Sequence, residues 1–360
     1  MKYIDEFRDR KLIDKLAARI RRSIDGDRQY KFMEVCGTHT MAIFKFALRD
    51  LLPENIRLIS GPGCPVCVTP NDYLDRAIAI ARLPNVIVTT FGDMMRVPGS
   101  RSSLEKEKAS GKMIKMVYST LDALEIARRN PDKEIVFLGV GFETTVPTVA
   151  ASIVEAQKEG INNYSVLSAH KTMPNVLEAL VKDKDIEVDG FLLPGHVSTV
   201  IGSKPYDFLT KKYGIGAVVT GFEPTDILEA ILMLIEQKKP KVEIQYKRFI
   251  CAGGNPVARK INDRVFERSS ARWRGIGIVP GSGLKIRRAY SRFDASSRFN
   301  VKVAPAREES GCICGQVLKG IKAPPECKLF GKVCTPENPV GACMVSSEGT
   351  CAAYYKYGKR

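Results

Sequence analysis

Apolar residues at Ile4, Phe7, Ile13, Leu16, Ile20 and Ile24 recur at near-helical spacing among charged neighbours. This predicts an amphipathic packing helix within residues 1–30. The periodicity then changes. Short apolar, β-branched runs follow at RLIS (57–60), NVIVTT (85–90), EIVFLGV (134–140), YSVLSA (164–169), GFLLPG (190–195) and GAVVTG (216–221), most of them separated by helix-like stretches such as NDYLDRAIAIARL and PTVAASIVEAQKEG. Alternation of this kind predicts parallel sheets in an α/β fold. The expected organisation is two similar parallel-sheet α/β domains, 31–133 and 134–245, followed at 246–360 by a basic connecting region and a loop-rich C-terminal domain.

Each apolar run ends in a loop rich in glycine or in chemically capable residues: GPGCPVC, FGDMMRVPGS, GFETT, AHKTMP, PGHVS and GFEPT. Ligands of open α/β sheets bind at the carboxyl ends of the strands, so these loops are the expected place for a site. GFETT (141–145) and GFEPT (221–225) also resemble each other, a sign of related structural units. The chain has three histidines: His170 and His196 follow such runs directly, and His39 sits three residues after Cys36, so all three fall at candidate cleft loops. Asp93, Glu143, His170, His196 and Glu223 read equally as supports for a site and as groups that stabilise their own loops.

Composition narrows the chemistry. With 360 residues and 44% hydrophobic content the chain can bury real cores. Its charged start, MKYIDEFRDRKLIDKLAARI, lacks the apolar segment of a signal peptide, and no apolar run is long enough to span a bilayer, so a cytoplasmic protein without a membrane role is expected. Ten cysteines in a reducing compartment point to metal binding or redox work rather than to a disulfide framework. Cys36, Cys64 and Cys67 lie near the start, Cys251 stands alone, and six cysteines crowd into residues 312–351, which implies two sites.

Cys36 opens the stretch Cys36-Gly-Thr-His39-Thr before a helical pattern that ends at Pro53. At a helix start, unpaired N–H groups and the helix dipole favour a thiolate, the form that binds metal or attacks. Cys64 and Cys67, in a Gly/Pro loop, read as a thioredoxin-type redox pair, as half of a zinc site or as a pair serving an iron centre. In the tail, Cys312, Cys327, Cys334 and Cys351 form the set C-x14-C-x6-C-x16-C, and Cys314 and Cys343 form a second set. The paired C-x-x-C knuckles of zinc ribbons are absent there, which favours a [4Fe–4S] cluster.

The net charge of +16 is uneven: residues 246–302 hold 14 Lys and Arg against 3 Asp and Glu. Such a segment could meet nucleic acid or an acidic protein. With no helix-turn-helix, zinc-finger or RNA-binding signature, nucleic acid is not an expected partner. A G-x-x-x-x-G-K-[ST] phosphate loop is also missing, so a P-loop ATPase is not expected.

The motifs MEVCGTHT, SGPGCPVCVTP, FGDMMRVPGS, GVGFETT, LPGHVSTVIG, CAGGNPVAR and CTPENPVGACMVSSEGTC, in this order over residues 31–356, resemble the HypD family of hydrogenase maturation proteins. The resemblance implies a scaffold that works with a HypC-like small chaperone and a HypE-like cyanide donor. Its product would be the iron centre of [NiFe] hydrogenase with two cyanides and one carbon monoxide, Fe(CN)2CO. It further implies Cys36 as the iron-contacting thiolate with His39 beside it, and Cys64 and Cys67 as a redox-active or iron-assisting pair. Cys312, Cys327, Cys334 and Cys351 match the [4Fe–4S] ligands, and Cys314 with Cys343 match an adjacent dithiol able to close as a disulfide. The competing reading is a freestanding iron–sulfur thiol–disulfide oxidoreductase whose electrons reach Cys64 and Cys67. Under the family reading the basic 246–302 segment becomes a docking surface for acidic partner proteins.

Overall fold

The computed structural model describes residues 4–358. Its strands, in chain order, are β1 (Tyr30–Glu34), β2 (Ile56–Ser60), β3 (Val86–Thr90), β4 (Ile114–Met116), β5 (Glu134–Gly139), β6 (Tyr164–Ser168), β7 (Gly190–Pro194), β8 (Gly216–Thr220), β9 (Val242–Ile244), β10 (Phe266–Trp273) and β11 (Gly277–Ile286). They form two parallel sheets, ordered β2-β1-β7-β8-β9 and β4-β3-β5-β6, and an antiparallel hairpin of β10 and β11. The expected mixed α/β fold with parallel sheets is therefore present. β3, β7 and β8 are buried at every position, as strands covered by helices on both faces must be.

The sheets do not follow the linear division at residue 133. After β2 the chain leaves the first sheet, builds the whole second sheet from β3 to β6, and returns with β7, which pairs with β1 through Phe32↔Gly190 and Met33↔Phe191. Apolar runs specify strands but not their partners. Which strands pair is set by the reach of the crossovers and by the match of buried faces.

Near the amino terminus, Asp9 accepts from Leu12 N and caps a helix over Arg10–Ser23. Its Ile13 and Ile20 are buried in one core with Ile227, Leu228 and Ile231 of the helix Pro224–Glu236, the packing role that its periodicity predicts. Among the described residues no helix is long and apolar enough to cross a membrane.

The tail is loop-rich, with short helical segments at Cys314–Leu318, Pro324–Glu326, Ala342–Met344 and Thr350–Tyr357. It does not stand apart as a distinct iron–sulfur domain. Cys314, Leu318 and Cys343 share a core with Met33, Cys64 and Cys67, and the Phe44 and Tyr354 rings lie 4.2 Å apart. A segment with so small an apolar core of its own has to borrow burial from the sheets.

Most of the basic residues of 246–302 are exposed, but a few tie the segment to the rest of the fold. Arg248 grips buried Asp226 with two hydrogen bonds, of 2.8 and 2.6 Å. Arg274 donates to Thr69 O from Nη2 at 2.7 Å, and Arg298 to Glu134 Oε1 at 2.6 Å.

Candidate functional site

Cys36 is the N-cap residue of the helix Gly37–Lys45, and its carbonyl accepts from Thr40 N at 3.1 Å. The loop after β2 lies directly on it: Gly37 N donates to Gly63 O at 3.1 Å. A Cβ on Gly63 would stand 2.3 Å from Cys36 N, so only glycine permits this approach. Thr38 Oγ1 donates to Glu348 Oε1 at 2.6 Å, which brings a tail carboxylate alongside. Burial, reinforced by the Glu348 charge, pushes the Cys36 thiol up to about 12. The thiolate expected of a helix start is thus overridden: local N–H groups favour ionisation by less than desolvation opposes it.

The histidine facing Cys36 is His196, at the start of the helix Gly195–Ile201 beyond β7. Both of its ring nitrogens lie 3.9 Å from Cys36 Sγ. His39 instead turns towards the GFEPT loop, where its Nε2 donates to Gly221 O at 2.9 Å. Phe222 of that loop stacks on both imidazoles, with centroids 5.0 Å from His39 and 5.1 Å from His196. Burial lowers His39 and His196 to about 4, so both are neutral at physiological pH.

Glu143, from the GFETT loop, accepts from Met173 N at 2.9 Å through Oε1, while its buried Oε2 has no hydrogen-bond partner among the described residues. Burial raises this carboxyl to about 7. Burial also raises the hydroxyl of Tyr206, a neighbour of Glu143 and Cys36 that the sequence reading did not single out. Phe222 and Glu348 were also missed, because aromatic and acidic residues carry no motif until a partner is beside them.

Cys64 caps the short helix Pro65–Val68 by accepting from Cys67 N at 3.3 Å. The tip of the basic hairpin pins this loop, with Arg274 N donating to Val68 O at 2.9 Å. Cys67 Sγ lies 3.9 Å from Ala342 O and interacts with Cys343, whose own sulfur is 2.9 Å from that of Cys314. All ten cysteines are free thiols. Cys312, Cys314, Cys327, Cys334, Cys343 and Cys351 line one cavity whose other walls are apolar, among them Leu329, Phe330 and Met344. A Cβ on Gly341 would come within 2.9 Å of Cys312 Sγ, so the glycine makes room for sulfur.

The family model described as "HypD: Hydrogenase formation hypA family" matches residues 11–358. The chain belongs to the HypD family. It is 49% identical over 370 residues to hydrogenase maturation factor HypD of Azotobacter vinelandii, an alignment covering 100% of this chain and 98% of that protein. Identity is 47% over 370 residues to the protein of the same name from Cupriavidus necator, with 100% and 98% covered. For that of Rhodobacter capsulatus it is 49% over 371 residues, with 99% and 98% covered.

Within this HypD-family chain the cysteines of the tail meet those of the amino-terminal half, as the contact of Cys67 with Cys343 shows. Among the described residues no group of three or more His, Cys, Asp or Glu is drawn together as a formed metal site. The donor chemistry of the cavity nonetheless fits a soft cluster, since its walls supply thiols and apolar side chains and no carboxylate. Other candidates lie elsewhere. Asp93 is exposed in the turn Gly92–Arg96, and Glu223 caps the helix Pro224–Glu236 while accepting from Arg8 Nη2 at 2.9 Å. His170 sits at the end of the second sheet, 3.1 Å from Ser168 Oγ.

Proposed function

We propose that this chain acts in hydrogenase maturation as a scaffold on which an iron destined for [NiFe] hydrogenase is held while it acquires cyanide and carbonyl ligands. The maturation role follows from membership of the HypD family, whose curated relatives carry that role in their names. The observation that carries the scaffold reading is the pairing of buried Cys36 with His196 at 3.9 Å, with the Cys64–Cys67 loop laid against it through Gly63. The cargo iron is substrate here. A buried thiol and a neutral imidazole offer it soft and borderline donors, and their low-dielectric surroundings strengthen each contact. His39 would act through Phe222 and the Gly221 carbonyl by fixing the ring against which His196 stacks.

Cys312, Cys327, Cys334 and Cys351 would hold a [4Fe–4S] cluster in the thiol-lined cavity, and when bound that cluster would supply single electrons. The remaining thiols are arranged for exchange. Attack of Cys67 on Cys343 of a Cys314–Cys343 disulfide would form a mixed disulfide and release Cys314 as thiolate. Attack of Cys64 on Cys67 would then close Cys64–Cys67 and release Cys343, which moves two electrons with no atom lost. Partners of the HypC and HypE kind, a small chaperone and a cyanide donor, complete the reading, with cytoplasmic location and no role for nucleic acid or membrane.

The test is an infrared spectrum of the anaerobically purified complex with the small partner, native against Cys36→Ala. Cyanide and carbonyl bands that disappear in the variant support the scaffold. Absence of bands from both samples, with cluster and partner in place, would move the assignment to a freestanding thiol–disulfide oxidoreductase.

A further inference from the structure

A second pocket, of about 440 Å³, opens at the carboxyl end of β6 between that sheet and the β10–β11 hairpin. His170 and Lys171 form its floor, and Arg76, Arg272 and Lys285 stand at its rim. Its carboxylates are occupied: Asp72 lies 3.5 Å from Arg272, and Asp294 accepts from Ser296 N at 2.9 Å. Lys171 is buried, which lowers it to about 8; its Nζ donates to Ala169 O at 3.3 Å and lies 5.8 Å from the Trp273 ring centroid, with donor capacity left for an anion whose charge would hold the ammonium protonated.

The orientation of His170 can be deduced. Ser168 Oγ donates to Leu284 O at 2.9 Å, so at its 3.1 Å contact with His170 Nδ1 it accepts. The proton is therefore on Nδ1, and Nε2 of the neutral ring presents a bare lone pair, buried and without a hydrogen-bond partner among the described residues. Burial and the Lys171 charge keep the ring neutral by lowering it to about 3. Gly139 is shaped to receive it, since a Cβ there would stand 2.8 Å from His170 Cε1.

We propose that this pocket binds a small oxyanion that carries a hydroxyl, of the hydrogen-phosphate type. Its charged oxygens meet Lys171 and the rim cations, and its hydroxyl donates to His170 Nε2. The site is independent of the thiol cleft and of the maturation reading. Sulfate matches hydrogen phosphate in shape and charge near pH 8 but has no hydroxyl, so it leaves the buried acceptor unpaired.

Titration calorimetry of the full-length protein with inorganic phosphate and with sulfate, at pH 8 and equal ionic strength, decides the matter. Phosphate is expected to bind at least ~10-fold more tightly than sulfate. Lys171→Met should weaken both anions by at least ~10-fold. His170→Gln, whose amide offers either a donor or an acceptor, should retain binding and bring the two affinities together. The proposal is overturned by lack of phosphate binding at millimolar concentration or by equal affinities of the two anions in the native protein. An unaffected Lys171→Met or an unchanged ratio in His170→Gln overturns it equally. The native comparison needs no variant, so a folding defect cannot obscure it.

Discussion

The two parallel sheets each deliver a neutral histidine beyond a strand, the half-buried His196 after β7 and the buried His170 after β6, yet they surround it differently. His196 meets a thiol and an aromatic ring, whereas His170 meets a hydroxyl and a buried lysine. One setting suits a soft metal, the other a hard anion. The strand end positions an imidazole, and the neighbours brought in by other parts of the chain determine its chemistry.

The comparison would break first at Cys36. A thiol raised from 9.0 to about 12 has a thiolate fraction at pH 8 lower by ~1000-fold. Iodoacetamide labelling followed by peptide mass spectrometry should find Cys36 slower than free cysteine by at least that factor, because burial also shields it. Glu348→Gln should speed it, since a like charge is removed. Labelling at the rate of free cysteine would mean that the cleft holds a ready thiolate.

Next comes acid stability. His39, His170 and His196 are all held below the ordinary value of 6.5, at about 4, 3 and 4. As pH falls from 6.5 towards 4, the unfolded chain takes up protons that the folded one refuses, so stability present above 6.5 is lost. His39 and His196 each contribute on the order of 3 kcal/mol at most, and His170 about 5 kcal/mol. Glu143, raised to about 7, has the opposite sign: its contribution is present below 4.5 and lost as pH rises through 7. Denaturation at pH 7 and pH 4.5 should show a net loss in acid, and His39→Gln should have the shallower slope. A slope unchanged by that substitution would contradict the buried, neutral state of His39.

Two glycines sharpen the contrast. Gly63→Ala places a methyl group on Cys36 N, and Gly139→Ala places one on the His170 ring. Each should cost ~1–3 kcal/mol of stability by overpacking. In the first variant iron retention should fall with phosphate binding intact, and in the second the reverse, as read by metal analysis and calorimetry. If either variant damaged both sites, the two regions would not be independent. The smallest effect is expected of Glu223→Gln, which breaks a partly exposed pair with Arg8. A change of ~0–1 kcal/mol in denaturation, with both sites unaltered, would separate this strand-end glutamate from the chemistry.

Strands β2, β3, β5, β6, β7 and β8 were legible because each is a buried apolar run. The hairpin was not. β10 reads FERSSARW, and its buried Phe266 and Trp273 lie at opposite ends with charged and hydroxyl residues between. β4 and β9 have three residues each, too few to show a period. His39 illustrates the same limit within the site: three residues from Cys36 along the chain, it turns to Gly221, and His196, 160 residues away, takes the place beside the sulfur.

The sequence by itself determined the buried strands and the amphipathic amino-terminal helix, the family, and the grouping of thiols into an amino-terminal set and a tail set, because apolar periodicity and cysteine spacing are local properties. Only the tertiary structure decided which strands share a sheet, that the tail cysteines meet Cys67, and that Glu348 and burial hold Cys36 as a thiol. Those outcomes depend on desolvation and on contacts between residues far apart in the chain, and both arise only once the chain has closed around them.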